Sequence, residues 1–311
     1  MSRIASSRRP TSSSRHVSSS RPTSSRRLAS SSRARNHAWG RALRTIIMLA
    51  LALIWFIPAF GLFITSLRPQ SDIATSGWWR IFAVPRFTIE NYSIVLGSHN
   101  FSTNFLNSFF ITIPSTILPI ALGALAAYAL ACMNFKGRNF VFFSVIAILV
   151  LPLQTTWVPV LRMQSRFHMT GSWISIWLAH TAYGLPFAIF LLRTFFAELP
   201  KELLEAARID GHSEFSIFCK IVIPLSVPAI ASLGIFQFVW VWNDLMNALV
   251  LLQNPKKFPL TVALQGLLGQ YGSEWNLLAS GAFVSMSIPL VVFFLLQRYF
   301  VRGLTAGAVK G

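Results

Sequence analysis

Charged residues are scarce in this sequence, and acidic residues are scarcer still. Only 12% of its 311 residues are charged and nine are acidic, whereas 54% are hydrophobic. A soluble domain is charged at about a quarter of its positions, so this chain has too little polar side chain to cover a water-facing surface. The composition therefore argues against an ordinary soluble protein and indicates one that lies in a membrane.

The apolar residues are gathered in runs that are long enough to cross a bilayer, which takes about 20 residues per helix. Strands could cross only as a closed barrel with alternating apolar and polar residues, and these runs do not alternate. We therefore predict an all-α membrane protein with six transmembrane helices, at residues 45–66, 105–131, 139–161, 173–196, 227–252 and 277–300.

Cysteine is nearly absent, and so are the patterns of catalytic and metal-binding sites. Cys132 and Cys219 are far apart, and neither has a cysteine or histidine nearby at ligand spacing. The chain has no G-x-x-x-x-G-K-S/T phosphate loop, and its six histidines are scattered. We therefore predict no catalytic residues, no metal and no cofactor. Any ATP hydrolysis that drives this protein is expected on a separate chain.

The net charge of +18 is unevenly distributed along the chain. If the first predicted span starts inside the cell, the inside regions hold 20 of the 27 lysines and arginines, 11 of them before residue 45. Cytoplasmic loops are enriched in these residues, so we predict a multi-pass cell-membrane protein with both termini in the cytoplasm. Residues 67–104 then form an extracytoplasmic loop, and residues 301–311 form a cytoplasmic tail.

Residues 1–36 consist mostly of serine and arginine. Such a segment cannot bury a core, so we predict a disordered cytoplasmic tail. Its arginines favour contact with the anionic headgroups of membrane lipid, and a phosphorylation target is a second interpretation. An RNA-binding arm is disfavoured because the tail has no aromatic residue to stack on a base, and nucleic acid is not expected as a partner.

One connector, between the fourth and fifth predicted spans, gathers five of the nine acidic residues: Glu198, Glu202, Glu205, Asp210 and Glu214. Pro200 suits the first turn of a helix and Gly211 the position just after its end, which predicts a short helix over about 200–210. Lys201 and Arg208 are spaced to pair with Glu205 on the surface of this helix.

A second short helix is predicted to follow in the same connector. Ser213 can cap it, Phe215, Phe218 and Val222 form one apolar stripe, and Pro224 ends it. Amphipathic helices that lie on a membrane typically carry Lys and Arg on their polar face. This connector carries more acid than base, which favours a protein partner over lipid.

The connector also carries a longer signature. Glu205-Ala206-Ala207 is followed after three residues by Gly211 and after nine more by Ile221-Val222-Ile223-Pro224. This spacing resembles the EAA signature of membrane subunits of binding-protein-dependent ABC importers, with Ile223 where the family usually has leucine. Residues 38–311 resemble the carbohydrate branch, of the maltose-transporter second-permease type, in the segments EAARIDG (205–211), WNDLMNAL (242–249), FPLTVAL (258–264) and QRYFVRGLTAGAVKG (297–311).

The resemblance implies a fold, a function and partners. The fold is the type I ABC importer permease fold, with a transmembrane core over 105–300 and the EAA loop at 200–224. The function is that of a membrane permease for a sugar or oligosaccharide. The expected partners are a second permease subunit, two ABC ATPase subunits and an extracytoplasmic sugar-binding protein. In this family the first connector helix is the coupling helix that docks in a cleft of the ATPase, a role that falls here on Glu205, Ala206, Ala207, Asp210 and Gly211.

One carboxylate, that of Asp244, lies within the fifth predicted span, where it is costly and is therefore a candidate for function. With Trp240 and Asn243 it could line the substrate path, or it could cap a broken helix. The alternative functions are an ion- or proton-coupled carrier or channel and an ABC importer for a non-sugar solute. A coupled carrier would need paired charges in its spans, and the sequence shows none clearly.

Overall fold

The computed structural model describes residues 24–97, 100–270 and 274–308, and the side chains of 40–97, 100–267 and 274–298. Within these ranges the protein consists of helices and turns, without strands. The α-helices are α1 (Ser24–Ser66), α2 (Gln70–Thr75), α3 (Glu90–Gly97), α4 (Phe101–Cys132), α5 (Arg138–Leu149), α6 (Trp157–Arg166), α7 (Trp173–Phe196), α8 (Lys201–Ile209), α9 (Glu214–Ile217), α10 (Ile223–Leu225), α11 (Val227–Trp242), α12 (Met246–Leu251), α13 (Leu260–Gln270) and α14 (Trp275–Ala308).

In the part of the chain that the structure describes, four helices are long and apolar enough to cross a membrane without a break: α1 from Gly40, α4, α7, and α14 as far as Arg298. Two further candidate spans are bent pairs of helical segments. Arg138–Leu149 and Leu153–Arg166 meet at 96°, and Glu214–Leu225 and Val227–Trp242 meet at 76°. Counted as one span each, the bent pairs bring the total to the predicted six.

The third predicted span, 139–161, is not one straight helix. α5 ends at Leu149, and Pro152 has an extended backbone, with φ −63° and ψ 124°, before the chain turns into α6. Proline lacks the N–H that would continue the helix and pushes the residue before it out of the helical region. An apolar run that could have been continuous is therefore bent by one residue.

The fifth predicted span, 227–252, is broken as well. α11 ends at Trp242 and α12 begins at Met246, so that Asn243 and Asp244 lie in the break. The side chain of Asn243 donates to the carbonyl of Val239 at 2.8 Å. Short polar side chains that bond their own backbone in this way compete with the helical ladder. The second bent pair therefore does not coincide with the predicted span. It ends at Trp242, and before α11 it includes α9 and α10, which the sequence analysis assigned to the connector.

The first 23 residues of the predicted disordered tail lie outside the described part of the chain. From Ser24 onward the structure differs from that prediction, because α1 already begins there. Extending a helix costs little once it is nucleated, and the apolar span next to this segment supplies the nucleus. At the other end, α14 continues through residue 308 of the predicted tail at 301–311.

The chain divides into two compact units, Met1–Ala59 and Phe60–Gly311. The first contains most of α1, in which the side chains of residues 41–58 are exposed; Trp55, for example, is 81% exposed. In the second, α4 packs along α7. A Cβ on Gly123 would lie 2.7 Å from the Cβ of Ala188, so the absence of a side chain at Gly123 permits this close approach.

The predicted outer loop is ordered over residues 67–97. Arg68 is buried and donates to three backbone carbonyls, those of Asp72, Ser76 and Gly77, at 3.1, 3.2 and 2.8 Å. Asn276 of α14 donates to the side-chain oxygen of Asn91 on α3 at 2.7 Å. These bonds satisfy buried polar groups and hold the loop against the last span.

Candidate functional site

The first helix of the connector, α8, ends in a complete Schellman motif. The N–H of Gly211 donates to the carbonyl of Arg208 at 3.1 Å, and the N–H of His212 donates to that of Ala207 at 3.0 Å. Gly211 has the predicted left-handed conformation, with φ 81°. A Cβ at this position would meet nothing within 4 Å, so glycine serves the backbone conformation here and not a lack of space.

The residues predicted to dock a partner lie on two different faces of the connector. Ala207 is only 5% exposed and packs, with Leu204, into the core cluster that includes Phe196 and Phe218. Residues three apart share a helix face, so Ala207 follows Leu204 inward. The other four residues are exposed: Glu205, Ala206, Asp210 and Gly211.

Two exposed apolar residues that sequence reasoning did not select lie near these four. Ile209, at the end of α8, is 86% exposed, and Phe215 is 69% exposed. Phe215 therefore leaves the predicted apolar stripe, whereas Phe218 and Val222 are buried as expected. The sequence did contain one sign that Ile209 is exposed: it lies next to Asp210 at the end of the predicted helix. The exposed face of the connector thus combines acidic and apolar groups.

The predicted ion pairs along α8 are not formed. Arg208 pairs with Glu214 and not with Glu205: its Nε donates to Oε1 of Glu214, across the turn, at 2.8 Å. Among the described side chains, Lys201 and Glu205 do not form an ion pair either. The hydrogen bond with Glu214 raises the pKa of Arg208 above its ordinary value, so this guanidinium stays charged at any physiological pH. Glu205 is therefore left to face outward.

The second helix of the connector begins as predicted. The hydroxyl of Ser213 accepts the N–H of Ser216 at 3.2 Å, which caps α9. One turn of π-helix, Phe218–Val222, then leads into α10. Pro224 does not end the segment, which runs to Leu225; the sharp bend into α11 follows at Ser226.

A cavity of about 740 Å³ opens at the break between α11 and α12. Trp240, Asn243 and Asp244, the three residues predicted for the substrate path, all line it. Gln154 and Asn247 add amide groups to a wall that is otherwise mostly apolar. Since α11 has 16 residues, the break at its end, where Asn243 and Asp244 lie, is about 24 Å along the helix axis from the connector end of α11.

Asp244 is held from several sides. Its Oδ1 accepts from Nδ2 of Asn247 at 3.0 Å, and its backbone carbonyl accepts from the hydroxyl of Thr261 at 2.7 Å. Its Oδ2 lies 3.6 Å from Nε2 of His180, which is fully buried. The ring of His180 also meets Trp240 edge-on, with 5.5 Å between centroids. Asp244 thus contacts the start of α12 and also faces the cavity. The geometry fits both interpretations of this residue, as a group that lines the substrate path and as the cap of a broken helix.

The residues that line this cavity suit the binding of a small molecule. Amide and carboxylate groups converge between aromatic and aliphatic walls, the usual make-up of a small-molecule site. Across the described part of the chain, three or more histidine, cysteine, aspartate or glutamate side chains do not come together as a possible metal site.

Together, the spans and the connector define a multi-pass membrane protein with a charged helix–turn–helix between two of its spans. The chain belongs to the family of binding-protein-dependent transport system inner membrane components, whose model matches residues 119–306. It is therefore a transport subunit and not an enzyme, as the EAA signature indicated.

Two curated relatives are similar over most of the chain. The osmoprotective compounds uptake permease protein GgtD of Synechocystis sp. is 50% identical over 281 residues, which cover 89% of this chain and 94% of that protein. The alpha-glucoside transport system permease protein AglG of Rhizobium meliloti is 49% identical over 233 residues, which cover 73% of this chain and 61% of that protein.

A solved structure supports the fold assignment. A chain of a bacterial ABC transporter involved in import of the acidic polysaccharide alginate superposes with a TM-score of 0.72. The match covers 85% of this chain and 97% of that chain at 22% identity. The predicted fold class, an all-helical ABC importer permease of type I, is confirmed.

Proposed function

We propose that this chain is the permease subunit of an ATP-driven importer for a neutral sugar, oligosaccharide or related glycoside. It pairs with a second permease subunit, and together they form the translocation path. The sugar assignment is supported by the relatives, since AglG is described as an alpha-glucoside permease, and by the mixture of aromatic and polar groups in the cavity.

The observation that carries this proposal is the Schellman-capped helix α8. It presents Glu205, Ala206, Asp210 and Gly211 outward while Leu204 anchors it to the bundle. We infer that this exposed face docks on a cytoplasmic ATPase, with two ATPase subunits and two permeases in the assembly. Ala207 packs on the opposite face of α8, against the bundle, and Ile209 adds apolar area to the contact.

The proposal places the connector in the cytoplasm together with both termini, and residues 67–104 outside, within reach of a sugar-binding protein. Trp240, Asn243 and Asp244 face the substrate path at the break between α11 and α12. A pathway for a sugar needs such hydrogen-bonding groups among apolar walls, because each hydroxyl leaves water on entry.

The test is reconstitution of the complete importer. The chain is co-expressed with a candidate partner permease, ATPase and binding protein, and uptake of a radiolabelled α-glucoside is measured in proteoliposomes loaded with ATP. We expect uptake that requires both ATP and the binding protein and that a protonophore leaves unchanged. Uptake driven by a proton gradient without ATP would favour the coupled-carrier alternative instead.

The orientation is tested separately, with reporter fusions at three positions. Fusions after residues 135 and 212 should be cytoplasmic, and a fusion after residue 90 should be external. An external reporter at residue 212 would contradict both the topology and the docking of α8.

A further inference from the structure

Three polar side chains join the connector to the α4 span. Oε2 of Glu214 accepts from the hydroxyl of Tyr128 at 2.5 Å, while Nε of Arg208 donates to the other carboxylate oxygen at 2.8 Å. Nη2 of Arg208 also donates to the carbonyl of Cys132, the last residue of α4, at 2.9 Å. These bonds therefore link α8, α9 and α4 at a single point, the Arg208–Glu214–Tyr128 joint.

The side chains of Arg208 and Glu214 are 33% and 40% exposed, but the joint is anchored at its tyrosine end. Tyr128 is only 5% exposed, and its ring packs on Phe218 with 5.3 Å between centroids. Charge-assisted hydrogen bonds are stronger than neutral ones, and two of the three partners here are charged. Leu204 and Ala207 of α8 pack into the same core cluster as Tyr128. A displacement of α8 must therefore either break these contacts or carry the end of α4 with it.

The other part of α4 lies next to the cavity residues. Ser108 and Thr112 of α4 border a small pocket together with His180 and Asp244. Tyr128 lies 16 residues after Thr112 along the same helix, which is about 24 Å at the rise of an α-helix. One helix thus connects the place where α8 is held to the carboxylate that faces the cavity.

We propose that the Arg208–Glu214–Tyr128 joint transmits the movement of α8 to α4, so that these residues set how much solute is imported for each ATP hydrolysed. The inference rests on the proposed function, in which α8 docks on the ATPase. None of the three residues contacts solute or nucleotide in this scheme. They act as positioning residues, and α4 is the element that they position.

The key variant is Tyr128→Phe, which removes one hydroxyl and keeps the ring in the core. In the reconstituted importer we expect normal capture of the ATPase and hydrolysis within about twofold of wild type. Import per ATP should fall about fivefold or more, the lower end of typical coupling between sites. Ser144→Ala is the control: it removes a hydroxyl that bonds only the carbonyl of Phe140 in its own helix, α5, at 2.9 Å, and the ratio of import to hydrolysis should not change.

A double-mutant comparison separates the joint from general destabilisation. Glu214→Gln keeps an oxygen for Tyr128 and loses the charge opposite Arg208. If the residues act as one unit, Tyr128→Phe combined with Glu214→Gln should lower import per ATP no further than the more severe single variant.

An unchanged ratio in Tyr128→Phe would overturn the inference, and so would loss of ATPase capture, since the joint would then serve docking alone. The inference would also be refuted if import per ATP in the double variant fell by the product of the two single-variant losses. Failure of the wild-type complex to capture an ATPase would refute the proposed function before any variant is compared.

Discussion

Gly211→Val is the substitution whose effect follows most directly from the structure. The residue has φ 81°, a conformation that costs an L-residue about 1–2 kcal/mol, and a β-branched side chain adds to that cost. A Cβ at this position meets no atom within 4 Å, so the penalty comes from the backbone conformation and not from a clash of the Cβ. If the variant avoids this cost by leaving the left-handed conformation, the two Schellman hydrogen bonds are lost, at about 0.5–1.5 kcal/mol each.

The two costs are similar, so a substantial fraction of molecules should release the end of α8. A change of about 2 kcal/mol lowers the equilibrium ratio of the capped form to the released form about 30-fold. The spans are remote from this turn, so membrane insertion should be normal. Recovery of the ATPase with the purified variant and solute uptake in proteoliposomes should both fall sharply, at low and at high salt.

Gly211→Asn is the matched control, because asparagine tolerates the left-handed conformation much better than valine does. It should retain most of the ATPase recovery and uptake. If Gly211→Val imports solute at the wild-type rate with its ATPase bound, α8 is not a coupling element. If asparagine is as harmful as valine, the backbone conformation is not the reason for glycine.

Two further predictions concern exposed and cavity-facing carboxylates. Glu205→Lys keeps α8 intact and reverses an exposed charge, so ATPase recovery should drop at low salt and approach that of Glu205→Gln at about 1 M salt, where the screening length is about 3 Å; a loss independent of salt would contradict an electrostatic contact. Asp244→Ala removes a charged hydrogen-bonding group from the cavity, so uptake should fall about tenfold or more while the assembled complex is still purified. Unchanged uptake in Asp244→Ala would mean that the carboxylate only supports the start of α12.

Much of this architecture is determined locally and can therefore be predicted from the sequence. A run of apolar residues must form a helix in lipid because each backbone group needs a partner within the segment. The turn at Gly211 was predictable for a similar reason, since a glycine after an amphipathic segment is a typical helix end. The capping of α9 by Ser213 also depends only on neighbours in the chain.

Of the two interruptions of the spans, a break at Asp244 was one of two interpretations of that residue, whereas the bend at Pro152 was not predicted. Pro152, Asn243 and Asp244 can be read in the sequence, yet many prolines lie in unbroken membrane helices, such as Pro114 and Pro119 in α4. Whether such a residue bends a helix depends on the neighbours that satisfy the freed backbone groups. Those neighbours are supplied by the packed bundle.

The tertiary structure alone decided which partner each polar group takes. Tyr128 and Glu214 are 86 residues apart, and His180 and Asp244 are 64 apart, so no local spacing brings either pair together. Arg208 could meet Glu205 on an isolated helix, but packing α8 on α4 gives it Glu214 and the carbonyl of Cys132 instead. Similarly, helical spacing alone does not say which side of α8 faces the bundle. The burial of Leu204 in the core settles that point, turning Ala207 inward and leaving Glu205 exposed.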